Sequence, residues 1–281
     1  MIPNFRSPSG NQANGCLGFL ISGTNLSGTW QCQMTLPAYS EAGTWTLDHV
    51  QVQDNVGNVR YYYTSQLQAL GFPTQLIVNS DNTPPTTTAS PSPSPNFNGW
   101  NNTNVTVTLN ATDNPGGSGV KQIQYALSGA QNLGWQTVPG NVASVTISAE
   151  GTTTLSYFAT DNAGNQETVK TLTVRIDKTP PIISGMPAPG CTIWPPNHKL
   201  VQVATVSATD VLSGLAPGSF AVTGTSNDPA NGQIVITGGP NQFNVQLRAD
   251  KGLIYTLTAS ASDLAGNVTT QQATCIVPHN Q

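Results

Sequence analysis

The chain is poor in charge, because only 8% of its 281 residues are Asp, Glu, Lys or Arg, against roughly 25% in an average soluble protein. Its nine basic residues form no cluster, which argues against nucleic acid or an anionic membrane surface as a partner. No apolar run approaches the ~18 residues that a membrane-spanning helix needs. The first ten residues also lack the apolar segment of a signal peptide, so we expect a processed protein or a fragment.

The sequence also lacks the usual catalytic motifs. It has no Gly-x-Ser-x-Gly, no His-Glu-x-x-His and no phosphate-binding loop. Its histidines, His49, His198 and His279, are scattered, and only His198 lies in a distinctive local motif. A lone histidine without a partnered acid or nucleophile is normally a surface residue. We therefore expect no enzymatic activity.

One short motif occurs three times and organises the sequence. The copies are Asp54–Asn58, Asp161–Asn165 and Asp263–Asn267, each with Asp first, Gly fourth and Asn last. Their Asp residues lie 107 and 102 positions apart. A repeat of roughly one hundred residues indicates one small domain used three times. Each copy lies between alternating, β-rich stretches, so each predicts a hairpin turn.

Two proline-rich segments separate the repeats. Asp81–Pro85 and Asp177–Pro181 both end in Pro-Pro, which excludes helix and central strand. Such segments are short, stiff connectors. We place domain boundaries there, giving domains 1–80, 81–178 and 179–281. The stretch Thr86–Pro95 lengthens the first junction, and we expect it to be loosely held.

The second and third domains share one strand pattern. Apolar and polar residues alternate in Asn104–Asp113 and Leu200–Asp210, and again in Thr153–Asp161 and Tyr255–Asp263. Short alternating strands with turn signals between them predict an all-β fold of β-sandwiches. The first domain has only 53 residues before its hairpin Asp, whereas the others have about 80. We expect it to be a truncated sandwich with an open sheet edge beside Phe19–Ile21.

The four cysteines follow this division. Cys16 and Cys32 lie in the first domain, and Cys191 and Cys275 lie in the third. Four cysteines allow three pairings, of which one pair per domain is the simplest. The alternative, a metal site, is weak because there is no Cys-x-x-Cys. We predict disulfides Cys16–Cys32 and Cys191–Cys275, which implies an oxidising, extracytoplasmic compartment.

The hairpins and connectors, with the turns Ser118–Val120 and Ser213–Leu215, resemble tandem Ig-like repeats of bacterial secreted and surface proteins. The segments Cys191–Lys199 and Val277–Gln281 resemble a subtype found in bacterial exoproteins. The resemblance covers domains two and three and the first domain from about Gly28. It implies three tandem Ig-like or fibronectin-like β-sandwiches, and it implies no catalytic residues. Such repeats form adhesin stalks and accessory modules of exoenzymes.

The acidic residues of the connectors and hairpins have two interpretations. Asp81, Asp177, Asp161 and Asp263 each fit a structural role, in which the carboxylate accepts backbone N–H bonds within a turn. The second interpretation is calcium, which binds several oxygen ligands, and the resemblance adds calcium at the junctions of some adhesin repeats. Neither connector has the dense Asp spacing of a dedicated calcium loop. Calcium is the only cofactor for which we find an indication.

Exposed tryptophans suggest a second kind of site. Trp45 lies in an alternating strand and is expected in the core. Trp100 and Trp135 lie beside Asn- and Gly-rich turns, so we expect them to be exposed and able to contact carbohydrate. The alternative for all five tryptophans is core packing.

Together these features predict a non-catalytic, extracellular segment of a larger bacterial protein, acting as a stalk, spacer or adhesion module. Its alternatives are an accessory, carbohydrate-binding module of a secreted hydrolase and a strand-exchanging filament subunit. The expected partners are the rest of its own polypeptide, a glycan or a surface protein, and a second copy at the first domain's open edge.

Overall fold

The computed structural model describes residues 1–25, 27–37 and 40–279, and within them the chain is almost entirely β-strand. Asn280 and Gln281, the end of the second exoprotein-like segment, lie outside the described residues. No helix in the described ranges is long and apolar enough to cross a membrane.

The first region has one large sheet rather than two. The elements are β1 Ile2–Arg6, β2 Ala13–Gly15, β3 Phe19–Gly23, β4 Gly28–Gln31, β5 Gly43–Gln53, β6 Val59–Tyr63, α1 Thr64–Ala69 and β7 Gln75–Val78. The strand order of the large sheet is β2-β1-β5-β6, and β7 pairs with the N-terminal end of β5. Strands β3 and β4 form a separate hairpin. The N-terminal segment folds back onto the large sheet, because β1 pairs with β5.

This region has a small core. Among its described residues only Trp45, Leu47 and Leu67 are buried apolar side chains, whereas Phe19 and Ile21 are more than half exposed. Trp45 is in the core as predicted. Leu47 of β5, Leu67 of α1 and Phe72 line one cavity, in which Phe72 stays 57% exposed. The region therefore buries little apolar area for its length.

The second region is a two-sheet sandwich. One sheet has the order β11-β10-β13-β14 and the other β12-β9-β8. Alternate residues from both sheets form one apolar cluster, which gives the β-sandwich core that the period-two pattern predicts. The strands are β8 Thr86–Ser92, β9 Val105–Thr112, β10 Val120–Gly129, β11 Leu133–Pro139, β12 Val142–Ile147, β13 Gly151–Asp161 and β14 Lys170–Ile176.

The expectation that Thr86–Pro95 is loosely held is wrong for its first seven residues. These residues form β8, an edge strand, where a proline without an N–H is tolerated. Glu167 fastens this edge, since its Oε1 accepts the Thr87 backbone N–H at 2.9 Å and pairs with Lys170. Burial opposes ionisation of Glu167, but the hydrogen bonds from Lys170 and Thr87 prevail and lower its pKa.

The third region is also a two-sheet sandwich, with sheet orders β15-β17-β20-β19 and β16-β22-β21-β18 and a shared apolar core. The strands are β15 Ile182–Ser184, β16 Cys191–Thr192, β17 Leu200–Thr209, β18 Ala221–Ser226, β19 Ile234–Gly238, β20 Gln242–Arg248, β21 Ile254–Ser262 and β22 Val268–Ile276. The predicted all-β fold class is confirmed, and the second and third regions are β-sandwiches as predicted. The boundaries near residues 80 and 178 stay a prediction.

The cysteines form the two predicted pairs. Cys16 is bonded to Cys32, and Cys191 is bonded to Cys275. The second bond joins β16 to β22, where the two residues are direct partners in a parallel pair. It therefore ties a two-residue edge strand to β22, whose Cys275 is buried in the core of the third region.

The second disulfide should contribute more to stability than the first, because it closes a longer loop. The sequence separations are 84 and 16 residues, which correspond to about 4–5 and 3 kcal/mol in the chain-entropy model. We expect the double variant Cys191→Ser/Cys275→Ser to show the larger fall in urea midpoint. The matched control is Cys16→Ser/Cys32→Ser. An unchanged midpoint in the first variant would contradict the expectation.

The first region should also be the least stable part of the chain. Its few buried apolar side chains leave its backbone hydrogen bonds closest to solvent. Hydrogen exchange on the dilute full-length chain should be fastest in residues 1–80. Exchange there as slow as in β13 and β21 would show that its sheet is as well protected as the sandwiches.

Candidate metal centres at the two connectors

The first connector is fastened to the sandwich that follows it. Asp81 Oδ1 accepts the Thr83 backbone N–H at 3.1 Å, and Oδ2 accepts the Ser118 N–H at 2.8 Å. The Asn165 side chain donates to the Asp81 carbonyl at 3.0 Å. The two backbone N–H groups lower the pKa of Asp81, because they bond to the charged form of the carboxyl group.

The second connector repeats this arrangement. Asp177 Oδ1 accepts the Thr179 N–H at 3.0 Å, and Oδ2 accepts the Ser213 N–H at 2.9 Å. Asn267 donates to the Asp177 carbonyl at 2.9 Å. The same contacts occur at equivalent positions of two repeats. They indicate that each connector forms one structural unit with the adjoining end of the next sandwich, which we call the sandwich pole.

The hairpin motif holds its own Asp in the same way in every copy. The Gly at its fourth position has φ of 94° or 95°, a left-handed conformation that glycine adopts without strain. Asp161 accepts bonds from the backbone and side chain of Asn165 at 2.7 and 2.8 Å. Asp263 has the equivalent bonds from Asn267. The predicted hairpin turns are therefore present.

A third Asp joins each pair at the end of a strand, and the site residues predicted from the sequence did not include it. Asp113 follows β9 and accepts the Gly119 N–H at 2.6 Å, while Asp210 follows β17 and accepts the Gly214 N–H at 2.5 Å. The matched strand ends were visible in the sequence, but only the fold brings these strand ends to the hairpins.

The result is two clusters of three carboxylates, one beside each connector. In each cluster one oxygen of every carboxylate lies within 4.8 Å of the others. The first triad is Asp81, Asp113 and Asp161, and the second triad is Asp177, Asp210 and Asp263. The structure thus assembles all four acidic residues that the sequence predicted as calcium ligands, in two separate sites.

Within the described residues, no basic side chain forms an ion pair with a triad carboxylate. The ion pairs in these ranges involve Asp48, Glu167 and Asp250. Asp177 and Asp263 are buried, with exposures of 0% and 3%. Three neighbouring carboxylates repel one another when all are ionised, and a bound cation would offset this repulsion.

The first hairpin shows what the motif does without partners. Asp54 accepts bonds from Val56 and Asn58 in the same turn geometry, yet it belongs to no acidic cluster of the described chain. The turn role therefore needs only the hairpin, and any metal role needs the other two carboxylates.

The second connector is also held by the sandwich that precedes it. Glu150 accepts bonds from the Lys178 backbone at 2.5 Å and from the Thr179 hydroxyl at 3.1 Å. Lys178 Nζ donates to the Ser148 carbonyl at 2.7 Å. Asn96 reaches across to the Leu264 carbonyl at 2.8 Å. Polar contacts from the preceding and the following sandwich therefore both hold this connector.

His198 lies beside an acidic residue. Its Nδ1 contacts Asp250, which also pairs with Arg248 at 2.9 Å. His198 is largely exposed and has φ of 58°. Among its described hydrogen bonds none reaches a hydroxyl or thiol nucleophile, so the nucleophile–base–acid arrangement of acyl-transfer enzymes is not assembled here.

The two tryptophans predicted to contact carbohydrate lie at opposite edges of one sheet. Trp135 is on β11 and is 51% exposed. Trp100 is half-buried in the loop before Asn101, which bridges to Ile176 of β14. Because β11 and β14 are the two outer strands of a four-stranded sheet, these residues cannot form one platform.

Comparison with known proteins finds solved structures that resemble this chain at low sequence identity. No protein-family profile and no curated protein sequence matches the chain. Among solved structures, fibronectin(III)-like modules of Clostridium thermocellum CbhA match at 16% identity over 69% of this chain and 94% of that one, with a TM-score of 0.30. The D00-D0 domain of intimin matches at 10% identity over 68% and 100%, with a TM-score of 0.31. The fold assignment rests on the sheets themselves.

The asparagine that links hairpin and connector should matter for stability. Asn267→Ala removes bonds to both Asp177 and Asp263, so we expect the free energy of unfolding to fall by about 1–2 kcal/mol. Asn58→Ala, the matched control, removes the bond to Asp54 in the lone hairpin and should cost less. Denaturant unfolding of both variants measures the difference, and equal losses would contradict the linking role.

Proposed function

We propose that this chain is a non-catalytic, extracellular repeat segment that works as a spacer or stalk, with one calcium ion at each connector. The observation that carries the proposal is the pair of carboxylate triads at equivalent positions of two repeats. The hairpin turn by itself needs no further carboxylate, because Asp54 forms the same turn without one.

The geometry of the triads fits calcium. Calcium takes six to eight oxygen ligands at about 2.3–2.6 Å, so ligands on opposite sides of the ion are at most about 5.2 Å apart. One oxygen of each carboxylate in a triad lies close enough to the others to share an ion of this size. Backbone carbonyls and water would complete the shell.

A bound cation would act on the connector through one residue of each triad. Asp81 and Asp177 belong to the connectors, while the other members belong to the sandwich. An ion shared by all three therefore fixes the angle between the connector and the sandwich. It also removes the repulsion among the carboxylates, so binding stabilises the sandwich pole as well.

Several features support a role outside the cell. Two disulfides need an oxidising compartment, and the sparse charge is replaced by Ser, Thr, Asn and Gln on the surface. Connectors fastened to neighbouring sandwiches suit a protein that holds other domains apart. The accessory-module alternative requires a ligand surface. The filament alternative is less favoured, because β1 already occupies its place in the first sheet.

Calcium should raise the melting temperature of the full chain after treatment with chelator. At a tenfold excess over Kd, one site adds about 1.4 kcal/mol, or about 5–10 °C for a unit of ~100 residues. Asp210→Asn should abolish the shift of the third region and leave that of the second. Asp54→Asn, in the hairpin without a triad, should keep both shifts.

Small-angle scattering tests the spacer role separately. With calcium the chain should populate a narrower range of inter-domain angles than with chelator. Identical melting in both conditions would remove the metal from the proposal. A calcium-dependent melt with unchanged scattering would show that the ion stabilises the sandwiches without stiffening the connectors.

A further inference from the structure

The outer face of one sheet in the second region carries an aromatic corner. Along β13 the side chains of Leu155, Tyr157 and Ala159 point into the core. Because side chains alternate, Phe158 points to the outer face. It is nevertheless only 7% exposed. An apolar side chain on the outside of a sheet needs a cover, and the cover here is Trp135 from β11.

Trp135 covers Phe158 while leaving much of its own surface free. The two ring centroids are 5.2 Å apart and the ring planes meet at 64°, an edge-to-face contact. Trp135 remains 51% exposed. The contact fixes the orientation of an indole that solvent still reaches. A fixed aromatic surface loses little conformational entropy when a ligand stacks on it.

Uncharged polar side chains surround this corner. Gln124 lies directly across from Phe158 on β10, and its Oε1 accepts a bond from Gln122 at 3.3 Å. Next along the strands, Ala126 is paired with Ser156, so the outer face carries two small side chains at this position. The other outward pairs of β10 and β13 at this level, such as Ser128 with Thr154, are also uncharged.

We propose that this corner binds a ring of a neutral carbohydrate. The corner is formed by Trp135, Phe158, Gln122, Gln124, Ala126 and Ser156. The apolar C–H face of a pyranose fits against the exposed indole. The amides and the Ser156 hydroxyl supply donors and acceptors for sugar hydroxyls. The lack of charge among these residues selects neutral sugars over uronic or sialic acids. The site is independent of the two triads, and Trp100 is not part of it.

Affinity electrophoresis of the full chain tests the proposal. Native gels contain hydroxyethylcellulose, xylan, galactomannan or dextran as the neutral polysaccharide. At least one should retard the wild-type protein. Trp135→Leu should weaken binding by about tenfold or more, because leucine still covers Phe158 but offers no π face. Trp135→Phe should retain most of the retardation.

Trp194→Ala is the matched control, since Trp194 is 44% exposed but lies in the third region. Its retardation should equal that of the wild type, and melting curves check that all variants are folded. Absence of retardation in all four gels would overturn the proposal. Equal retardation of Trp135→Leu and the wild type would also overturn it. The polysaccharide would then bind elsewhere, and Trp135 would serve only to cover Phe158.

Discussion

Each connector depends on one Asp that bonds to both its own backbone and the next sandwich. Asp177 accepts N–H bonds from Thr179 and Ser213 while Asn267 holds its carbonyl, and Asp81 is held in the same way. This anchoring brings a third negative charge to a pole that already has two. The geometry that makes the connector stiff therefore also creates the electrostatic problem that a divalent cation would solve.

The fold could be predicted where the alternation of residues is uninterrupted. The alternation in Thr153–Asp161 predicts β13, which the structure extends by two residues at its start. Strand β8 was missed because three prolines in Thr86–Pro95 suggest a loop. Only Pro91 lies within β8, and the position of β8 at a sheet edge makes that proline tolerable. Strand β11 was missed because Gly134 interrupts its pattern.

The sites could be predicted only in part, because they join residues that are distant in sequence. The hairpin and connector Asp residues stand in visible motifs. Asp113 and Asp210 end matching strands, but nothing in the sequence shows that these strand ends meet the hairpins and connectors. The contact between Trp135 and Phe158 also could not be predicted, because it joins β11 and β13, which are not neighbours in the sheet.

Equilibrium dialysis against calcium, with the protein's metal content measured by mass spectrometry, tests the central claim most directly. The account predicts two calcium ions per full-length chain, one after Asp210→Asn or Asp113→Asn, and none when both substitutions are combined. Asp54→Asn should still bind two. A wild-type chain that retains no calcium at millimolar concentrations would contradict the account and leave the triads as turn and connector residues.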